Sequence, residues 1–184
     1  VIDVRPLRSR AFVDRILTDP AIGPKIAHDD RSPGFIDHPS VSYCGGYVDG
    51  RLAAVFTAVQ FSRWEVEVHG AVLPVALRHG RALGRLFLDR VFADPDVMRC
   101  TAYVLGSLPS AANWVRKLGF TDEGRRREAC RVDGVACDVL VLGVTRGEWL
   151  AALQQRDDPV ELGCDDPEQA AGTTNKQSKN HVIV

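Results

Sequence analysis

The sequence predicts an α/β (α+β) domain built on one mixed, mostly antiparallel sheet of about seven strands flanked by helices. Three observations carry this. Asp49-Gly50 and Asp133-Gly134 each separate two runs of strand-forming residues, the pattern of an antiparallel hairpin. Between them, an apolar run ends in a proline, passes through a basic, glycine-bearing turn and enters an amphipathic stretch before a further apolar run. A strand–helix–strand order of this kind sets two strands in parallel with a right-handed crossover.

Taken in order, Ile2–Pro6 alternates and reads as the first strand, and Ser9–Leu17 is helical until Asp19-Pro20 breaks it. Ala21–Ala27 makes a short second helix or turn. His28–Ser40 is polar, contains Pro33, Gly34 and Pro39, and reads as a loop placed to border a substrate site. Val41–Val48 and Leu52–Phe61 are the strands of the first hairpin. Trp64–Leu73 is rich in β-branched residues and forms the fourth strand. In Arg81–Phe92, the residues Leu83, Leu86, Phe87 and Val91 follow helical spacing. Arg99–Leu105 returns as a strand, and Pro109–Leu118 is a short helix stopped by Gly119. Phe120–Val132 and Val135–Val144 form the closing hairpin, and Glu148–Gln154 adds a last helical turn or two. Residues 1–155 thus form one domain. Over 156–184 the composition shifts to Asp, Glu, Gly, Thr, Asn and Lys, a polar tail that is mobile or wraps the surface. Its final Val182-Ile183-Val184 suits pairing with a sheet edge, in a second subunit of a homodimer.

With 184 residues, 45% of them apolar and 26% charged, the chain is large enough for one real hydrophobic core. A formal charge of −1 gives no general attraction to nucleic acid or to a membrane surface. No run of about 20 apolar residues marks a transmembrane helix, and the first residues carry no signal-peptide core. The five cysteines form no C-x-x-C pair, which points to reduced thiols in a cytoplasmic compartment. Cys44, Cys100, Cys130 and Cys137 lie in strand-like runs and read as small buried side chains. The five histidines show no ligand spacing, so no metal site is expected.

The stretch Val72-Leu73-Pro74-Val75-Ala76-Leu77-Arg78-His79-Gly80-Arg81-Ala82-Leu83 holds the most chemistry. A turn that delivers a strand into a helix N-terminus aims backbone N–H groups at one spot and favours a phosphate or pyrophosphate. Arg78, His79 and Arg81 add positive charge there. On Trp64–Leu73, alternation sets Glu65, Glu67 and His69 on one face, with Val66, Val68 and Val72 on the other.

This element order, with its glycine turn after the fourth strand, resembles the GNAT superfamily of acetyl-CoA-dependent N-acetyltransferases over about Ile2–Leu153. Two local signatures carry the resemblance. The family's turn, Arg/Gln-x-x-Gly-x-Gly/Ala, is matched at Gly80 and Ala82, whereas Leu77 stands at the basic or amide position. A short helix ending Lys-x-Gly-Phe is matched at Lys117-Leu118-Gly119-Phe120, followed by the acidic turn Thr121-Asp122-Glu123-Gly124. Glu67-Val68-His69, Val72-Leu73-Pro74 and Gly124-Arg125 look like a bacteriophage-encoded branch, whose members work in the host cytoplasm.

The resemblance implies that the backbone of Leu73 and Val75 pairs with the pantetheine arm of acetyl-CoA. It implies that the N–H groups from Arg78 through His79, Gly80, Arg81 and Ala82 to Leu83 hold the pyrophosphate. It also implies an acceptor amine, on a small molecule or a protein, and a general base on the fourth strand. Glu67 is the first candidate for that base and His69 the second. The oxyanion donor falls near Leu73. The family's general-acid Tyr lies four residues before the Gly of Gly-Phe, which here is Val115, and its CoA-binding Asn lies eleven before, which here is Leu108. Tyr103 and Asn113 are the nearest substitutes. Because two expected groups are missing, a binding or virion-associated protein that kept the fold without turnover is the alternative. A phage DNA-base-modifying enzyme is another, with Arg125, Arg126, Arg127 and Arg131 as its local basic patch.

A side chain at Gly80 blocks a phosphate from the helix end. Gly80→Glu is therefore expected to abolish acetyl-CoA binding, with titration calorimetry as the readout; undiminished affinity would remove the turn from the site.

Overall fold

The computed structural model describes residues 1–157, so the tail read over 156–184 lies outside the described residues from 158 onward. The elements are β1 (Ile2–Pro6), α1 (Arg10–Leu17), α2 (Gly23–Ile26), β2 (Val41–Val48), β3 (Arg51–Gln60) and β4 (Glu65–Val72). A 3-10 helix (Pro74–His79) then leads into α3 (Gly80–Phe92), β5 (Arg99–Leu105), α4 (Pro109–Lys117), β6 (Thr121–Val132), β7 (Val135–Thr145) and α5 (Arg146–Asp157). The seven strands form one sheet in the order β1-β2-β3-β4-β5-β7-β6. Every neighbouring pair is antiparallel except β4 and β5.

Both Asp-Gly pairs make the predicted hairpins, and the backbone shows why. Asp49 and Gly50 have φ of 48° and 76°, and Asp133 and Gly134 have 50° and 76°. Two successive left-handed residues match the twist of the flanking strands. Asp tolerates that region and glycine enters it without steric cost.

Each sheet face has its own core. Val13 and Ile16 of α1 pack with Ile22 over Leu7, Tyr43, Val55 and Ala71. On the opposite face, α3, α4 and α5 bury Leu83, Phe87, Val115 and Trp149 over Phe56, Val68, Val72 and Leu142. Phe56 and Phe87 stack across this second interface with centroids 4.9 Å apart. Among the described residues, no helix is long and apolar enough to cross a membrane.

Two boundaries differ from the sequence reading. α2 is confined to Gly23–Ile26, because Ala27 is extended (φ −65°, ψ 134°) and turns the chain into the loop. α5 begins at Arg146, directly after β7, rather than at Glu148. Thr145-Arg146-Gly147-Glu148 is a capping box: the Glu148 carboxylate accepts the Thr145 N–H and hydroxyl, both at 2.8 Å. Those bonds, the backbone one foremost, hold the Glu148 carboxyl below the usual carboxylate range. The helix so started docks on α3. Arg146 donates to the carbonyls of Phe92 and Asp94, each at 2.9 Å, and the Trp149 indole donates to Asp89.

Packing between α3 and α4 relies on Gly84. A Cβ there would stand 2.8 Å from the Trp114 ring and 2.9 Å from Leu118. Overpacking of this kind costs about 1–3 kcal/mol, against about 1 kcal/mol gained in helix propensity when Gly becomes Ala. Because the obstructing atoms belong to a large, enclosed ring, the steric effect wins. Gly84→Ala is expected to lose about 1 kcal/mol in urea denaturation, and a variant as stable as its parent would contradict this packing.

Candidate active site

β4 and β5 pair only at Glu65↔Arg99, Val66↔Cys100 and Glu67↔Thr101. Past these positions the two strands separate, while β4 stays paired with β3 as far as Val72 and β5 with β7 as far as Leu105. The Leu73 N–H donates to the Ala53 carbonyl of β3 at 2.9 Å. Since backbone direction alternates along a strand, the odd-numbered residues of β4 address β3, and Val68, Gly70 and Val72 address the gap. That gap encloses about 20 Å³ between Val68, Gly70, Ala102 and Trp114, room for one water. Trp114 lies against Gly70 and Gly84, and its buried indole N–H has no hydrogen-bond partner among the described residues.

Polar bonds secure the closed end of the split. Thr101 donates its hydroxyl to Glu65, Arg99 lies 3.5 Å from the same carboxylate, and Arg99 bonds Glu123 at 2.6 Å. The Glu123 hydrogen bond foremost raises the Arg99 guanidinium above its ordinary value. Glu65 shares a strand face with Glu67 and His69, yet this network occupies it.

Glu67 and His69 remain. The His69 Nε2 stands 2.8 Å from Glu67 Oε1, and both side chains are part-buried. With the carboxylate accepting Nε2–H, the lone pair is carried by Nδ1. Both residues line a cavity of about 390 Å³ together with Asp29, Phe61, Tyr103 and Arg126. The Tyr103 hydroxyl has no hydrogen-bond partner among the described residues, and the Arg126 guanidinium lies 6.0 Å from its ring centre. A second chamber of about 540 Å³ adjoins this cavity and shares Ile26, His28 and His69 with it. His69 borders all three spaces.

One wall comes from a distant strap. Asp29 and Asp30 adopt left-handed φ of 51° and 57°, which turns the chain back toward β6. There the Asp29 N–H donates to the Arg131 carbonyl at 2.8 Å and the Asp29 carboxylate accepts the Arg131 N–H at 2.7 Å.

At the glycine turn the structure corrects the expected open loop. Residues 74–79 wind into a 3-10 helix that passes directly into α3, whose first residue, Gly80, is right-handed at φ −54° and ψ −41°. The Gly80 N–H already bonds the Leu77 carbonyl, and the Ala76 N–H bonds that of Leu73. Leu73 is thereby engaged through both its N–H and its carbonyl, so the free strand edge belongs to Gly70 and Val72 instead. Val75 is exposed in the 3-10 helix, Ala82 is half-buried and Leu83 is buried in the core. The basic side chains do converge: the α3 N-terminus has no side-chain cap, and Arg78 and His79 stand beside it, hydrogen-bonded to each other at 2.9 Å. Arg81 turns to the end of α4 and donates to the Lys117 carbonyl. Asn113 is exposed, and its carbonyl accepts from Arg116.

Sequence reasoning missed Gly70, Val72 and Trp114. A signal existed for Gly70, since a glycine inside a β-branched strand marks a close approach. Asp29 lies in the acidic loop that the sequence reading set beside a substrate site, but its partner Arg131, 102 residues away, had no sequence signal.

No family model matches the sequence. Among solved structures, the chain is similar to spermidine N-acetyltransferase from Vibrio cholerae in complex with CoA and spermine. That match has a TM-score of 0.69 at 15% identity over 81% of this chain and 98% of that one. A chimera of the Vibrio cholerae enzyme with hSSAT matches at a TM-score of 0.69, 16% identity and the same coverages. The chain has the GNAT fold. Within that fold the parted parallel pair is β4–β5, and α3 is the helix of the crossover between them.

Of the described thiols, Cys130 lines the cavity of Glu67 and His69, and Cys44, Cys100 and Cys137 do not. Burial pushes the Cys100 thiol up to about 12 and raises that of Cys44 as well. Cys130 and Cys137 face each other across β6 and β7 as free thiols, and Cys164 lies outside the described residues. Among the described thiols of the folded protein, the half-buried Cys137 is expected to react first with an aromatic disulfide reagent and Cys100 only on unfolding. Rapid native labelling of Cys100, read by peptide mass, would contradict its placement.

Proposed function

We propose that this chain is an acetyl-CoA-dependent N-acetyltransferase acting on a primary amine. The observation that carries this reading is the position of His69, which borders both the gap between β4 and β5 and the cavity on the other side of it. An acyl donor laid along the gap and an amine in the cavity would meet at that residue. The similar Vibrio cholerae enzyme, whose structure holds CoA and spermine, supports it.

The residues present fit the cofactor. Gly70 and Val72 offer a strand edge on which an amide-bearing arm can be held as an added strand. Arg78 and the uncapped start of α3 offer positive charge for its pyrophosphate, and His79, whose Nε2 accepts from Arg78, offers its Nδ1–H as a donor. When bound, acetyl-CoA supplies an activated acetyl thioester. In the transfer, an N–C bond replaces the C–S bond, one proton leaves the amine nitrogen and one arrives on the sulfur.

His69 accepts the amine proton, directly or through a water, at Nδ1. Glu67 fixes the imidazole by its bond to Nε2 and stabilises the cation that forms. The N–H of Gly70 or Val72, directed into the gap, serves the developing oxyanion. Tyr103 lines the same cavity with a free hydroxyl and is the available proton donor. A second reading, CoA binding without turnover, is favoured by one observation. Val115 at the family's general-acid position is apolar and buried.

Thiol release from acetyl-CoA over a panel of primary amines tests both readings. Turnover supports the enzyme, and binding by calorimetry with no release on any amine selects the second reading. Given turnover, His69→Ala is expected to lower kcat by about 10²–10⁴-fold with CoA affinity within about two-fold of the parent. Glu67→Gln is expected to give a smaller loss in the same direction. An unchanged kcat for His69→Ala would remove it as the base.

A further inference from the structure

The larger chamber differs in chemistry from the cavity it adjoins. Where Glu67 and Asp29 face the smaller space, the chamber of about 540 Å³ has no carboxylate on its wall among the described residues. Its lining includes Leu17, Phe35, Tyr43, Val55 and Val59, and its one formal charge is the cation Arg31. The volume falls in the range of sites that enclose a small organic molecule.

Its tyrosine is engaged within the wall itself. The Phe35 and Tyr43 rings stack with centroids 5.1 Å apart, and the Tyr43 hydroxyl accepts the Ile36 N–H at 2.8 Å. Asp14, the nearest acid on α1, accepts the Phe35 N–H at 2.7 Å and also binds Arg10. These bonds hold the 33–36 segment onto α1 and β2, so the apolar surface is a formed wall.

Resting on the N-acetyltransferase reading, we propose that the acceptor is a primary amine with an uncharged, apolar body, aryl or branched alkyl, seated in this chamber. Its ammonium end lies at His69 beside Glu67 and Asp29, whose two carboxylates outweigh the Arg126 cation on the same wall. A polyamine would instead bring a second ammonium into an apolar space that offers no carboxylate and presents Arg31. An unpaired charge is strongly disfavoured in such a setting. The polyamine acceptors of the similar solved enzymes are therefore not the acceptors of this chain.

The test uses the full chain, with 2-phenylethylamine and spermidine as the two probes. In thiol release from acetyl-CoA, kcat/KM for 2-phenylethylamine is expected to exceed that for spermidine by at least about ten-fold. Ile36→Glu, which sets a carboxylate in the chamber wall at an exposed position, is expected to narrow or reverse that ratio at an unchanged Tm. Saturation-transfer NMR, with and without CoA, reads amine binding independently of turnover, and Phe35→Ala is expected to weaken the 2-phenylethylamine signal. Preference for spermidine in the parent chain overturns this proposal and leaves the N-acetyltransferase reading standing. Bound 2-phenylethylamine with no CoA binding supports the chamber and overturns the N-acetyltransferase reading. Absence of 2-phenylethylamine binding in both NMR conditions overturns the chamber whatever the turnover.

Discussion

The parting of β4 from β5 is the constraint on which the rest of this molecule depends. A sheet interior normally leaves no backbone N–H or C=O without a partner, because each unpaired buried group is costly. Here each of the two strands keeps its ladder on one side, β4 with β3 and β5 with β7, and gives it up on the other beyond Glu67↔Thr101. Two features hold that arrangement. At the closed end, Glu65, Thr101, Arg99 and Glu123 link the strands through side chains. At the open end, Trp114 of α4 occupies the space beside Gly70 and Gly84 that a longer side chain would take from it. The result is a strand edge, open within a sheet, that an extended ligand can complete.

From that split the chemistry follows by geometry. Because β4 alternates, the residues whose backbone addresses the gap are not those whose side chains face the acceptor side. Gly70 and Val72 serve the first direction, while Glu67 and His69 serve the second. One strand therefore presents a backbone surface and the hydrogen-bonded Glu67–His69 pair in register, and His69 stands where they meet. Nothing in this arrangement needs a metal or a nucleophilic thiol, and the most buried cysteine has its thiolate suppressed by burial.

Most of the architecture was legible because it rests on local rules. The Asp-Gly pairs demand left-handed backbone at both turn positions, and hairpins followed at both. The apolar periods marked strands and helices, and the strand–helix–strand order required the parallel pair. The start of α5 was equally legible, since Thr145 and Glu148 have capping-box spacing, although the apolar pattern alone places it two residues late. The glycine turn was legible in composition and not in conformation. Whether residues 74–79 stay open or wind into a 3-10 helix depends on burial of Ala76 in the core beneath them, which is a long-range effect.

By itself, then, the sequence determined the element order, the hairpins, the basic start of α3 and the shared face of Glu67 and His69, since each depends on residues within a few positions of one another. The tertiary structure alone decided which carboxylate faces the cavity with His69, which amides of the turn are engaged and which residues enclose the two spaces. Glu65 is taken by Arg99 and Thr101, and Asp29 reaches the cavity through a strand 102 residues away. Partnerships of that span arise only when packing brings distant segments together, and no local pattern encodes them.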